Sequence, residues 1–263
     1  MKLKQVKLYK EPKLEEPYLL AAWPGMGMVA LRAFSYLNRK LNAEEFGEIE
    51  PYDFFDPEVS IRDGLIDVPE FPENKLFYWK NEKGNDLMFC IGNEQPSPEN
   101  EYKLADKIVD VAKHFRVKRV YTSAAFALGG HLLGERRVFG VVTDRESKQY
   151  LKKHRVMLLS EAMQMKEAGI SGMNGVILGA ARERCIGGIC LFGEMPEAEV
   201  RLPYSKTSKV VCDTLIRILE LKVDTQELEE EITQGIKELE QQSLRYTVDY
   251  KDLFGKGGKT NEH

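Results

Sequence analysis

No run of eighteen apolar residues occurs in this 263-residue chain, so no segment reads as a membrane-crossing helix and no membrane partner is expected. Cysteine and histidine are scarce, with four of each. Cys90, Cys185, Cys190 and Cys212 mostly lie in or beside apolar segments and read as buried free thiols. Cys185 and Cys190 lack a second matching pair and a nearby histidine, so no metal site is expected. A basic block or basic–aromatic stripe is also missing. Lys plus Arg number 38 against 42 for Asp plus Glu, and this balance gives no electrostatic case for nucleic acid. Met1 to Pro17 is rich in Lys and Glu and has no apolar signal core, which predicts a cytoplasmic protein.

Motifs that carry chemistry are equally sparse. Gly25-Met26-Gly27 lacks the third glycine of a dinucleotide fingerprint, and Gly258-Lys259-Thr260 sits in a polar tail with no strand before it. Ser123 and Ser171 have no Gly-x-Ser-x-Gly elbow around them. His114, His131, His154 and His263 show no metal-ligand spacing; His131, after Gly129-Gly130, is the one histidine worth testing. Glu94, Asp144 and Glu194 each follow an apolar run, where a carboxylate could face a cleft or could cap a helix or be solvated. No nucleophile with a base and an orienting group can be assembled. The expectation is therefore a protein without a catalytic set and without a cofactor.

What is present is the alternating pattern of an α/β protein. Hydrophobic residues make up 43% and charged residues 30%, ordinary globular values. Tyr18 to Trp23, Leu76 to Trp79, Asp86 to Ile91, Val117 to Tyr121, Arg137 to Val142 and Gly187 to Phe192 read as strands. Most are apolar throughout, which predicts a mostly parallel sheet covered on both faces. Val59 to Ile61 and Leu65 to Val68 flank Arg62-Asp63-Gly64, a hairpin signal. Ser97-Pro98-Glu99 reads as a helix start, as does Thr143-Asp144-Arg145-Glu146. Residues 1–222 are expected to form the α/β core. Residues 223–263 are expected to be an amphipathic helix and a mobile tail. In that helix Leu228, Ile232, Ile236 and Leu239 form an apolar stripe on a charged background, able to dock on its own domain or on another subunit.

Trp23-Pro24-Gly25-Met26-Gly27-Met28 joins a strand to a helix through a tight glycine turn, and Ser171-Gly172-Met173-Asn174-Gly175 repeats that logic. Glycine lets a backbone or ligand approach closely, and a helix start exposes N–H groups. Such turns can hold an anion or can reverse the chain compactly. Gly25, Gly27, Glu94, Ser123, Asn174 and Gly175 are the candidate ligand-binding set at the carboxyl ends of the strands. Phe54-Phe55 and Phe126, in turn-rich stretches, are candidates for an exposed contact patch.

Five segments in order resemble the proteasome assembly chaperone 2 family in its archaeal and bacterial branch. They are Trp23 to Gly27, Gly92 to Pro96, Val120 to Ala124, Gly169 to Gly179 and Cys190 to Pro196, within about residues 15 to 220. The resemblance implies a three-layer α/β/α fold similar to the nucleoside phosphorylase and hydrolase architecture. It also implies self-association and the binding of protein clients. Relatives that dock on proteasome α subunits use a C-terminal hydrophobic-Tyr-any tripeptide. This sequence ends Asn261-Glu262-His263, with Val248-Asp249-Tyr250 internal, so docking on α subunits by that route is not expected. The leading expectation is thus a cytosolic, homo-oligomeric binding or assembly-chaperone-like protein. The alternative is an enzyme or binder of a nucleoside- or phosphate-like ligand.

Overall fold

A computed structural model of the protein describes residues 4–56, 59–67, 71–128, 135–163 and 169–254. The chain divides into two compact units, Met1–Val223 and Asp224–His263. In chain order the first unit contains β1 (Val6–Leu8), β2 (Tyr18–Ala22), α1 (Val29–Lys40) and β3 (Glu44–Ile49). The hairpin β4 (Ile61–Arg62) and β5 (Leu65–Ile66) follows, then β6 (Asn74–Trp79), β7 (Leu87–Gly92) and α2 (Glu101–His114). Next come β8 (Arg119–Leu128), β9 (Val138–Val142), α3 (Arg145–Lys153), α4 (Leu159–Met163), α5 (Met173–Glu183), β10 (Gly187–Pro196) and α6 (Thr207–Ile218).

Eight strands form one sheet in the order β1-β3-β6-β7-β2-β8-β10-β9. Its centre, β7-β2-β8-β10, is parallel. The pairs to either side, β1/β3, β3/β6, β6/β7 and β10/β9, are antiparallel. The predicted parallel sheet is therefore the centre of a mixed one. The hairpin at Arg62-Asp63-Gly64 forms, but as a separate two-stranded sheet.

Alternation along the central strands separates two cores. Leu19, Ala21, Met88, Cys90, Val120 and Cys190 share one buried cluster with Leu104, Ile108, Ile177 and Ala181 from α2 and α5. Leu20, Phe89, Tyr121, Ile189 and Leu191 point the other way, and α1 and α6 pack on each other, with Cys212 Sγ against the Ala33 carbonyl and Phe34 and Val211 buried. The result is the three-layer arrangement.

Several local expectations change. α2 begins at Glu101 rather than at Ser97, because the Ser97 hydroxyl donates to the Phe54 carbonyl at 3.3 Å and Ser97-Pro98-Glu99 forms a preceding turn. Asp144, not Thr143, caps α3, accepting from the Ser147 N–H at 2.8 Å, while Glu146 pairs with Arg119 at 3.2 Å. Phe54 is only 1% exposed, and Phe126 packs with Phe139 and Phe192 at centroid distances of 5.9 and 6.4 Å, so neither offers an exposed patch. Cys90, Cys190 and Cys212 are buried, but Cys185 is exposed, at φ 59° just beyond α5. Burial pushes the Cys190 thiol up to about 12 and raises Cys90 and Cys212 as well.

The second unit contains α7 (Gln226–Phe254), with Asp224 Oδ1 accepting from the Gln226 N–H at 3.1 Å at its start. Leu228, Ile232, Ile236 and Leu239 fall on one stripe of it; Leu228 and Ile232 are buried, whereas Ile236 and Leu239 keep partial exposure.

Replacing Asp144 by alanine removes the α3 cap and should cost about 1 kcal/mol at neutral pH, lowering Tm by roughly 3 °C. Burial alone would raise the Asp144 pKa, but hydrogen bonds from the Ser147 N–H and from the Thr143 and Ser147 hydroxyls bring it below the ordinary 3.8. A depressed carboxyl stabilises above its unfolded pKa and stops doing so as pH falls through the folded one. The gap between wild type and Asp144→Ala, measured by urea unfolding across pH, should therefore shrink below pH 3.8.

Candidate functional site

The chain leaves β2 toward β3, β6 and β7 on one side of the sheet, whereas β8 continues to β9 and β10 on the other. The β2/β8 boundary is thus a switch point, the place where open α/β sheets form a crevice. β2 pairs with β7 along five residues but with β8 along only three, the last being Leu20↔Tyr121. Beyond that point the two strands part.

Asn174, at the start of α5, fills the parting. Its Oδ1 accepts from the Trp23 N–H at 3.0 Å and its Nδ2 donates to the Trp23 carbonyl at 3.1 Å. The side-chain amide satisfies the two backbone groups that a continuing β8 would otherwise pair. Trp23 itself is fully buried, and its indole N–H donates to Asn74 Oδ1 at 2.9 Å. A Cβ at Gly92 would lie 2.0 Å from that indole nitrogen, so the end of β7 must be glycine. Gln95, three residues on, ties both glycine turns together: Nε2 donates to the Pro24 carbonyl and Oε1 accepts from the Met173 N–H at 3.0 Å.

A cavity of about 400 Å³ lies in this crevice. Pro24, Gly25, Met26, Val29, Ala30 and Gln95 line it, with Glu101, Ser123 to Ala125, Gly169 to Gly172, Asn174 and Phe192. Of the six expected ligand-binding residues, Gly25, Ser123 and Asn174 meet here. Gly27, Glu94 and Gly175 do not line it. Gly27 is buried at φ 58°, and a Cβ there would meet the Met195 side chain at 2.4 Å; its N–H donates to the Val200 carbonyl at 3.1 Å. Gly175 abuts the Ile170 carbonyl, 2.5 Å from a would-be Cβ. Glu94 is exposed, outside the lining. The Ser123 hydroxyl donates to the Leu191 carbonyl at 2.8 Å.

The N–H groups at the two turns are largely engaged within the fold. Met28 N–H donates to the Gly25 carbonyl, and Gly175 and Val176 N–H both donate to Gly172. Glu101 is the one ionisable side chain in the lining among the described residues. Glu194, 1% exposed, accepts from the Arg137 backbone N–H at 3.0 Å and pairs with its guanidinium, and Asp144 caps α3. Both carboxylates therefore serve the fold. His131 lies outside the described residues. Gln95 escaped attention in the sequence although its turn, Gly92 to Pro96, stood out there. A carboxylate draws notice as an acid or base, but the amide next to it can donate and accept at once.

Asn174→Ala should leave two buried backbone groups without partners and cost about 2–4 kcal/mol. Gln95→Ala, in a half-buried position, should cost about 1 kcal/mol. Chemical denaturation of the two variants checks the order; an Asn174→Ala protein as stable as wild type would refute the sealing role.

Residues 19–243 match the PAC2 family. The uncharacterized protein MJ1210 of Methanocaldococcus jannaschii is 30% identical over 240 residues, 88% of this chain and 87% of that protein. The crystal structure of Pyrococcus furiosus PbaB, described as an archaeal proteasome activator, is similar with a TM-score of 0.74 at 25% identity, covering 90% of this chain and 98% of that one. Pyrococcus furiosus PbaA, described as an archaeal homolog of proteasome-assembly chaperone, is similar with a TM-score of 0.67 at 22% identity, covering 93% and 96%. With the interlocked glycine turns at the switch point and a family match running from β2 into α7, this chain belongs to the PAC2 family.

Proposed function

We infer that the chain is a cytosolic protein-binding, assembly-chaperone-like member of its family that works as a homo-oligomer, with proteasome subunits as the first clients to test. The observation that carries this reading is the likeness to PbaB along nearly its whole length. The chemistry at the strand ends supports it. Asn174, Gln95, Gly27 and Gly175 hold backbone to backbone there, which is what a rigid scaffold for docking surfaces requires. On α7, Ile236 and Leu239 keep apolar surface that a partner subunit or client could cover.

A second reading, a binder of a nucleoside- or phosphate-like molecule, has one observation in its favour. The 400 Å³ cavity at the switch point falls within the size range of small-ligand sites. Nucleosides and phosphate at millimolar concentration should leave Tm unchanged under the leading reading. A saturable rise of several degrees would favour the ligand reading instead.

The leading reading is tested by affinity capture with the purified full-length protein as bait against proteasome α and β subunits from the same organism. Retention of a subunit or an assembly intermediate, lost on Ile236→Asp/Leu239→Asp substitution, is the expected result. No retention of either subunit type at micromolar concentrations would refute the proteasome assignment.

A further inference from the structure

β8 is ten residues long, yet β2 accompanies only three of them, ending at Tyr121. Asn174 closes the β2 side of the parting, and the β8 side stays open. Register shows which backbone groups are left there. The Tyr18 N–H donates to the Asp86 carbonyl at 2.9 Å, so Tyr18 and, two residues on, Leu20 direct their backbone groups to β7. In a parallel ladder only one of two opposite residues bonds across the pair. Tyr121, opposite Leu20, therefore faces β2, and by alternation Ser123, Ala125 and Ala127 face the same way. β10 agrees. Its Gly188 carbonyl accepts from the Thr143 N–H at 3.0 Å, away from β8, so Ile189, Leu191 and Gly193 face β8 and their opposites Tyr121, Ser123 and Ala125 face away. The β10 ladder thus leaves the N–H and carbonyl of Ala125 and Ala127 directed into the crevice. Among the described residues no hydrogen bond reaches these groups there. Ala125 is only 8% exposed and lines the cavity.

A buried N–H and carbonyl without a partner cost free energy until something pairs with them. Groups repeating every second residue along one strand edge match the backbone of another extended chain. They do not converge on a point, as an anion site requires, and the Glu101 carboxylate in the lining opposes negative charge. Across the gap the opposite wall competes little, since the Pro24 carbonyl is held by Gln95 and the Gly25 carbonyl by the Met28 N–H. Met26, Val29, Ile170 and Phe192 supply apolar surface beside the edge. The crevice therefore combines an open strand edge, apolar flanks and one negative charge.

We propose that the crevice is a strand-addition site, in which an extended segment of a partner polypeptide pairs with the edge of β8 at residues 123–127. The segment is apolar, with one basic side chain toward Glu101. The inference rests on the protein-binding part of the function proposed above and assigns it a site and a mode. The probe is a random hexapeptide library selected on the full-length protein, with the enriched peptides resynthesised and their Kd measured by fluorescence anisotropy. Enrichment of apolar sequences carrying Lys or Arg is expected. A strand paired on one side uses alternate N–H groups, so N-methylation of every second peptide nitrogen should weaken binding about tenfold in one phase and far less in the other. Ala125→Pro removes a crevice-facing N–H that β10 does not use, and should weaken binding by about the same factor. Glu101→Lys should disfavour the basic peptides. Should Ala125→Pro fail to fold, the two methylation phases on wild type decide the question. No enrichment, or binding indifferent to methylation phase, overturns the proposal. Binding that Glu101→Lys leaves unchanged overturns the charge preference. A protein that retains proteasome subunits but enriches no peptide overturns the crevice site alone; one that does neither overturns the protein-binding reading with it.

Discussion

The fold depends on one side-chain amide taking the place of a strand. Where β2 and β8 separate, Trp23 would have an unpaired N–H and an unpaired carbonyl in a buried setting, a cost of several kcal/mol. Asn174 meets both groups from a position 151 residues along the chain. Because the amide belongs to the first turn of α5, the pairing also fixes where that helix begins. Gln95 then couples the same helix start to Pro24. Three segments distant in sequence are held in register by hydrogen bonds that need a planar amide at each of two positions. The glycines around them follow from that closeness: Gly92 admits the Trp23 indole, Gly27 admits Met195, and Gly175 admits Ile170.

Two large charged groups at the far ends of strands show the same economy of position. Glu194, at the end of β10, is nearly fully buried, yet it binds the Arg137 backbone and guanidinium together. Arg136 next to it is pinned by Glu199, Ser205 and Thr207. Consecutive arginines thus fasten β9's approach to the β10–α6 connection. Buried carboxylates of this kind are stabilised when their partner is present and costly when it is removed. Glu194 is absent from the lining of the cavity, and its burial reflects architecture before chemistry.

Much of this was legible in the residues. Strands β2, β7, β8 and β10 are apolar on both faces, and that composition alone places them at the centre of a covered sheet. β1 and β3 were not legible: Val6-Lys7-Leu8 is too short, and Glu44–Ile49 mixes glutamates with Phe46 as an outer, half-wet strand does. Of the candidate set, Gly25 and Asn174 were chosen because small residues before helices mark close approach and Ser123 because it follows an apolar run; these three line the cavity. Glu94 was chosen over Gln95 because a single residue's chemistry can be read from sequence, while its partners, 71 and 78 residues distant, cannot. The hairpin was legible as a turn, but its detachment from the main sheet depends on tertiary packing that no local pattern encodes.

The unequal surroundings of the four thiols have a practical corollary. Cys185 stands in solvent at the end of α5, whereas Cys90, Cys190 and Cys212 are enclosed and hold their protons far more tightly than a free thiol. An alkylating reagent at neutral pH should therefore modify one site quickly and then pause. Later modification must wait for the three layers to separate, so its rate reports how often the whole core opens. Nature has, in effect, left one chemical handle outside and three stopwatches within.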